Sequence, residues 1–320
     1  MDDAVSAKAG PRYAAIDCGT NSIRLLVVEK QPEMAELKQL SRELRLVRLG
    51  EGVDVNREFS AEALVRTFAA VDEYAAIIRE LDVDAVRFVA TSATRDVGNR
   101  DAFDEGIRAR LGVGIDVIDG RAEAELSFTG AVAQVRLDHV APYLVIDIGG
   151  GSTEFVLGDG SVEYARSVDI GCVRMTERHL QSDPPLAREI AAATRDIDAA
   201  ILEALNDVPG QRANTVIGVA GTVTTVAAIA MGLPEYDSQK IHLSAISHDQ
   251  VDQVTAHLLE STRDQRLSLP GVQPGRVDVI GGGALILKRI MDLVGVDEIV
   301  VSESDILDAI AWQVAADSVS

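Results

Sequence analysis

Tyr143-Leu-Val-Ile-Asp-Ile-Gly-Gly-Gly-Ser-Thr-Glu-Phe-Val-Leu157 sets the reading of the whole chain. An apolar run ends in Asp147, three glycines and Ser152 follow, and a second apolar run then carries Glu154. The pattern predicts a strand, a tight turn and a returning strand. Glycine lets the turn adopt φ > 0 and approach a ligand closely, so successive N–H groups can converge on an anion. A carboxylate at the end of the first strand stands where a magnesium ion accompanying a phosphate would sit. A plain hairpin with a glycine-rich turn satisfies the same residues.

A second copy favours the phosphate reading. Tyr13-Ala-Ala-Ile-Asp-Cys-Gly-Thr-Asn-Ser-Ile-Arg-Leu-Leu-Val27 aligns with the stretch from Tyr143 without gaps, 130 positions earlier. Asp17 matches Asp147, Gly19 matches Gly149 and Ser22 matches Ser152. Two strand–turn–strand units a domain's length apart imply a duplicated fold in which each half offers a phosphate loop.

A chain of 320 residues, 47% apolar, suffices for about two cores. It holds no apolar run of about 18 residues, so no membrane span is expected. The segment from Met1 to Arg12 lacks the apolar stretch of a signal peptide and reads as a frayed tail. Two cysteines, Cys18 and Cys172, point to a reduced cytoplasmic setting without a disulfide framework. Five scattered histidines have no ligand spacing. The net charge of −21 argues against nucleic acid or an anionic membrane as partner. A polyanionic substrate would need basic groups gathered locally in a cleft.

The rest of the chain alternates strands and helices, giving an α/β protein of two mixed-sheet domains. Leu37 to Leu49 reads as further sheet ending in the turn Arg48-Leu-Gly-Glu-Gly52, and Ser60 as the N-cap of a helix to Leu81. The buried strand Ala85 to Ala90 empties into a loop, Thr91-Ser-Ala-Thr-Arg-Asp96. Ligands meet open α/β sheets at the carboxyl ends of strands, so Arg95 is a phosphate-ligand candidate, with an ordinary exposed loop arginine as the alternative. A helix from Arg121 to Ala133 carries Glu123 and Glu125, which suit the positive end of the helix; two apart, at most one of them faces a given cleft. Further on, Ala220-Gly-Thr222 opens a helix, and Gly221 and Thr222 can receive phosphate oxygens there, or simply form a capped turn. A loop from Arg266 to Arg276 leads to Gly281–Gly283, glycines expected to permit close packing or ligand approach.

Together these motifs resemble the exopolyphosphatase / guanosine pentaphosphate phosphohydrolase (Ppx/GppA) family, within the superfold of actin, sugar kinases and the Hsp70 ATPase. The resemblance rests on Ile16 to Ser22, Arg48-Leu-Gly50, Thr91 to Arg95, Gly120 to Leu126, Asp147 to Glu154, Gly171-Cys-Val-Arg174, Ala220-Gly-Thr222 and Leu269 to Asp278, in that order. Each is weak alone; the series spans about residues 13 to 312.

The resemblance implies two ribonuclease-H-like domains, residues 1–126 and 127–303, facing an interdomain cleft, with residues 304–320 packing back on the first. It assigns Glu123 as the general base that orients the attacking water. Family members usually show two adjacent glutamates there, where this chain has Ala122 and Glu123; spacing from Gly120 and Leu126 selects Glu123 over Glu125. It implies Asp147 and Glu154 as carboxylates for Mg²⁺ or another divalent cation. Phosphate would be held by Thr20, Asn21 and Ser22, by Gly149, Gly150, Gly151 and Ser152, by Arg95, by Gly221 and Thr222, and by Arg276 from the second domain.

The implied activity is hydrolysis of terminal phosphate from inorganic polyphosphate. Longer family members extend a basic channel with further helical domains; the end of this chain at Ser320 and its acidic balance favour short polyphosphates. Guanosine pentaphosphate is the alternative substrate, a kinase or ATPase of the same superfold a second class, and a non-catalytic alarmone sensor a third. A homodimer is expected.

Overall fold

The computed structural model describes residues 10–31, 37–135 and 139–317, so residues 1–9 of the frayed-tail reading and residues 318–320 of the segment expected to pack back on the first domain lie outside the described residues. The first half runs β1 (Arg12–Cys18), β2 (Ser22–Lys30), β3 (Leu37–Leu46), a short α1 (Val53–Asn56), α2 (Ala61–Glu80), β4 (Ala85–Ala90), a one-turn α3 (Ser92–Arg95), α4 (Arg100–Leu111) and β5 (Ile115–Val117). These strands form one sheet in the order β3-β2-β1-β4-β5. Strands β1, β2 and β3 form an antiparallel meander, and β4 and β5 continue parallel to β1.

Helix α5 (Gly120–Val132) leads to the second half: β6 (Tyr143–Ile148), β7 (Thr153–Gly158), β8 (Val162–Val168), α6 (Cys172–His179), α7 (Ala187–Asp207), β9 (Thr215–Val219), α8 (Ala220–Ala230), α9 (Ser238–Ile241), β10 (Ala245–Ser247), α10 (His248–Glu260), α11 (Arg263–Leu267), α12 (Ile280–Val294), β11 (Glu298–Val301) and α13 (Ile306–Asp317). The second sheet has the order β10-β11-β9-β6-β7-β8, with β6, β7 and β8 again antiparallel and β9 parallel to β6. The duplication seen in the sequence is thus a duplication of sheets, each centred on its copy of the opening stretch. The fold is α/β with two sheet domains.

Burial on both faces explains why β1 and β6 are continuous apolar runs rather than alternating ones. Ala14, Ile16 and Cys18 face a core with Tyr74, Phe88 and Phe103 under α2 and α4. Tyr13 and Ala15 face the opposite way, into a core with Leu126 of α5 and Leu307, Ile310 and Ala311 of α13. In the second half Leu144, Ile146 and Ile148 pack under α7, α8, α10 and α12, while Val145 meets Ala124, Phe128 and Ala131 of α5. Helix α5 therefore contributes to cores on both sheets, and α13 returns across β1 and β2. At their crossing, a Cβ on Gly130 would lie 1.8 Å from the Asp305 carbonyl oxygen, so only glycine fits.

Capping follows the sequence closely. The Ser60 hydroxyl accepts from the Ala63 N–H at the start of α2, Asp119 from the Ala122 N–H at the start of α5, and Ser247 from the Gln250 N–H at the start of α10. Two stretches read as loops are helical in part: Ser92–Arg95 forms one turn, and the loop from Arg266 to Arg276 opens inside α11, Arg263–Leu267, which starts behind a Thr262–Gln265 capping box. Neither is long enough for apolar periodicity to mark it. Gly281–Gly283 lie inside α12 against α6 and α8; a Cβ on Gly282 would stand 2.6 Å from Thr176 Oγ1, and one on Gly283 2.6 Å from Thr222 Cγ2.

Candidate active site

Both glycine loops are built the same way, and the construction explains what they offer. The carbonyl of Thr20 accepts from the Gly50 N–H (2.8 Å), and that of Asn21 from the N–H groups of Val47 (3.0 Å) and Arg48 (2.9 Å). In the second loop the Gly149 carbonyl accepts from Cys172 N–H (3.0 Å), the Gly150 carbonyl from Val173 N–H (2.9 Å), and the Gly151 carbonyl from Arg174 Nε (2.7 Å). In a trans peptide the N–H points opposite to the carbonyl before it. Fixing these carbonyls therefore turns the N–H groups of Asn21, Ser22, Gly150, Gly151 and Ser152 the other way, free for a ligand. The turn after β3 holds one loop and the start of α6 holds the other. Close approach is essential: a Cβ on Gly171 would stand 2.4 Å from the Gly150 carbonyl carbon.

The two loops meet. A Cβ on Gly150 would lie 2.8 Å from Thr20 Cβ, and Thr20 Oγ1 is 3.0 Å from Ser92 Oγ at the start of α3. Beside them a cavity of about 80 Å³ is lined by Thr20, Asn21 and Ser22 from the first loop and by Gly149, Gly150 and Ser152 from the second. Gly221, Thr222 and Arg276 close one side, and Asp17, Arg24, Glu123 and Asp147 supply its charge. Of the fourteen positions singled out in the sequence, eleven line this cavity; Arg95, Gly151 and Glu154 do not. Gly151 faces a smaller adjoining space with Thr20, Ala93 and Arg174.

The Arg95 guanidinium donates to Glu123 Oε2 (2.6 Å) and to the Ile118 carbonyl (3.1 Å). Glu123 is buried at the first turn of α5, whereas Glu125 is exposed and paired with Arg121 (3.0 Å). Burial pushes the Glu123 carboxyl above its usual range; the Arg95 guanidinium opposes this, Asp17 adds to it and Thr91 lowers it. Glu154 is 1% exposed and accepts from Ser167 Oγ (2.7 Å); burial, then Glu123 and Asp147, push it far up. Asp147 accepts from Ser127 Oγ (2.5 Å) and is pushed up to about 7, chiefly by burial, against the Ser127 hydrogen bond and with Asp305 and Glu123 adding repulsion.

Asp17 and Arg24 were not singled out as site residues, although the alignment places them opposite Asp147 and Glu154. They face each other across β1 and β2, with Arg24 Nη2 2.6 Å from Asp17 Oδ2 and Nη1 bonded to Asp305. Ser127, one turn beyond Glu123, and Asp305 had no local signal.

Carboxylates outnumber cations where a phosphate would enter, and burial, with repulsion among them adding to it, keeps their pKa values high. The donor set fits a divalent cation held in the manner of magnesium, by one or two carboxylates with water and phosphate oxygens completing the shell. Asp147 lines the cavity, with Glu154 facing it across the sheet. An all-protein cage does not fit: among the described residues no three His, Cys, Asp or Glu side chains stand close enough to enclose a metal.

Comparison with known proteins accords with this geometry. The family model of the Ppx/GppA phosphatase family matches residues 26–306. The chain is 46% identical over 315 residues to exopolyphosphatase 2 of Mycobacterium tuberculosis, covering 95% of this chain and 98% of that protein. It is 29% identical to the guanosine-5'-triphosphate,3'-diphosphate pyrophosphatase of Vibrio atlanticus, over 95% of this chain but 59% of that protein. The crystal structure of an exopolyphosphatase-like protein superposes with a TM-score of 0.89 at 44% identity, covering 93% of this chain and 97% of that one. With the duplicated sheets and the paired loops, these matches show that the chain belongs to the Ppx/GppA phosphatase family.

Proposed function

We propose that the protein is a magnesium-dependent exopolyphosphatase of the cytoplasm that removes the terminal phosphate of short polyphosphate chains. The observation that carries this reading is the meeting of two N–H-presenting loops at a cavity whose wall holds Glu123, fixed by Arg95. The near full-length match to exopolyphosphatase 2 supports the substrate class, and the −21 net charge supports short chains over long ones.

The terminal phosphoryl group binds against the N–H groups of Asn21, Ser22, Gly150, Gly151 and Ser152. Glu123, with Arg95 donating to it against the upward push of burial, takes the proton of a water as its oxygen attacks the terminal phosphorus. The bond from that phosphorus to the bridging oxygen breaks, and the shortened chain leaves with the bonding electrons. Such a reaction needs positioning and charge neutralisation more than covalent help. The loop N–H groups and Arg276 face the equatorial oxygens, where charge spreads in the transition state. Asp147 and its cross-strand neighbour Glu154 would hold a magnesium ion, which when bound would supply charge neutralisation of the phosphate oxygens. Ser127 orients Asp147 for that task, and the Asp17–Arg24–Asp305 chain holds the floor of the first loop.

The test is phosphate release, with magnesium, from tripolyphosphate, long-chain polyphosphate, guanosine pentaphosphate and ATP in parallel. Release fastest from short polyphosphate is expected. Preference for guanosine pentaphosphate would move the protein to the alternative activity, and turnover rising steadily with chain length would overturn the short-chain reading. Tight guanosine tetraphosphate binding with no release from any substrate would make it a sensor.

A further inference from the structure

Gly171-Cys-Val-Arg174 has an anchoring role through its backbone, but the side chain of Arg174 does something more. It is buried, and its guanidinium is spent on both sides of the cleft. Nε donates to the Gly151 carbonyl within the second loop (2.7 Å), Nη1 to Asp54 Oδ1 in α1 (2.5 Å) and Nη2 to Asp96 Oδ2 just after α3 (2.8 Å). Asp96 follows Arg95, the residue that holds Glu123. One planar fork thus joins the second phosphate loop to the segment that carries the partner of the base.

Neighbouring contacts repeat the pattern. Arg178, one turn on along α6, also donates to Asp54, and Glu177 accepts from the Gly52 N–H (3.1 Å). In the opposite direction Arg48, from the turn that anchors the first loop, reaches Asp278 of the second half (2.5 Å). Each loop's anchor therefore extends a side chain to the other half. Separating the two sheets breaks Arg174–Asp54, Arg174–Asp96 and Arg48–Asp278, but leaves Arg174–Gly151 intact. The arrangement is available only with the loops together.

We propose that Arg174 is a positioning residue for phosphate hydrolysis: through Asp54 and Asp96 it makes the orientation of the Gly149–Ser152 loop depend on closure of the cleft. It touches no reacting atom. The proposal rests on the exopolyphosphatase reading for its activity readout. The guanidinium spreads its donors over three nitrogens in a rigid planar fork, whereas the three donors of an ammonium radiate from one atom and cannot span Gly151, Asp54 and Asp96 together. Misplacing oxyanion donors by about 1 Å costs on the order of 100-fold in rate.

The experiment compares the wild type, Arg174→Lys, and an Asp54→Asn/Asp96→Asn pair that leaves Arg174 on Gly151. Phosphate release from tripolyphosphate with magnesium is measured well below each variant's melting temperature. The cleft is followed by the distance between spin labels at Val65→Cys on α2 and Leu202→Cys on α7, both exposed, the native cysteines being buried. Positioning predicts kcat lowered roughly 10- to 100-fold in Arg174→Lys and in the aspartate pair, KM changed much less, and a longer or broader label distance in the pair. Combining the variants should cost little more than either alone. A purely structural role predicts a lower melting temperature with kcat of the folded protein unchanged, and that result overturns the proposal. If Arg174→Lys does not fold, the aspartate pair decides by the same criteria. If the wild type releases no phosphate from any substrate, the exopolyphosphatase reading falls; the label distance then still judges the closure link, and an unchanged distance in the pair overturns it.

Discussion

Replacing Asp147 by asparagine should make the metal-free protein more stable at pH 8 while destroying its activity. The carboxyl is buried and pushed up to about 7 from an ordinary 3.8, burial being the first cause. Between those values the folded state keeps a proton that the unfolded chain has released, so stability falls as pH rises through the window, by ~1.4 kcal/mol per pH unit. Above about pH 7 the ionised side chain costs the fold ~4 kcal/mol. Asparagine retains the acceptor for Ser127 and removes the charge, so a gain on the order of 5 °C in melting temperature at pH 8 is expected. The slope does not vanish, because burial also raises Asp17, Glu123 and Glu154. The assay is thermal unfolding from pH 5 to 8 with chelator or with millimolar magnesium. Magnesium should stabilise the wild type more at pH 8 than at pH 5.5, where it must displace a proton, and should not shift the variant comparably. A variant less stable than the wild type at pH 8 without divalent ions would show that the carboxylate is compensated in the fold, and the reasoning would be wrong.

Glu123→Gln should lower phosphate release by roughly 10² to 10⁴ while melting temperature and tripolyphosphate binding persist, checked by colorimetric phosphate assay and calorimetric titration; retained turnover removes Glu123 from the base role. Arg95→Met takes away the cation that holds the Glu123 pKa down, so the acidic limb of the kcat/KM profile should move to higher pH, and an unmoved limb separates the two residues functionally. Gly150→Ala places a methyl 2.8 Å from Thr20 Cβ and should force the two loops apart, lowering kcat/KM more than stability. Gly171→Ala drives a methyl into the Gly150 carbonyl, which has no side chain to swing aside, and should give a protein that melts several degrees lower as well as being inactive.

The sheets were legible because their signal is local: apolar runs ending in turn residues, and a gapless repeat that placed β1–β2 and β6–β7 in equivalent positions. Ser60 marked the start of α2 by the chemistry of its cap. The short pieces α3, α11 and β10 escaped, being stabilised by tertiary contact and capping rather than by periodicity. The loop residues could be named because a second copy, and then the family resemblance, set them apart from a plain glycine-rich turn. What could not be read was pairing at long range. Arg95 carries no mark of whether it faces a phosphate or a glutamate 28 residues on, and nothing near Arg174 announces Asp54 or Asp96, 120 and 78 residues away. Asp305 escaped for the same reason: it reaches Arg24 from 281 residues away.

The duplication itself carries the sharpest physical lesson, in the one pair of positions where the two copies diverge in charge. In the first half Asp17 faces Arg24 across the strands; in the second Asp147 faces Glu154 at the equivalent register. Opposite charges in directly facing positions stabilise a sheet and like charges destabilise it. The first pair is neutralised within the protein, with Arg24 bonded to both Asp17 and Asp305. The second is not: Glu154 has a serine hydroxyl, Asp147 another, and both carboxyls are pushed up by burial and by each other's neighbours. A buried like-charged pair that persists beside a phosphate loop is a fold giving up stability where an external cation can restore it. On that argument the cation proposed above belongs with the second copy rather than the first, and the Asp17–Arg24 pair does for one loop, permanently, what that cation would do for the other.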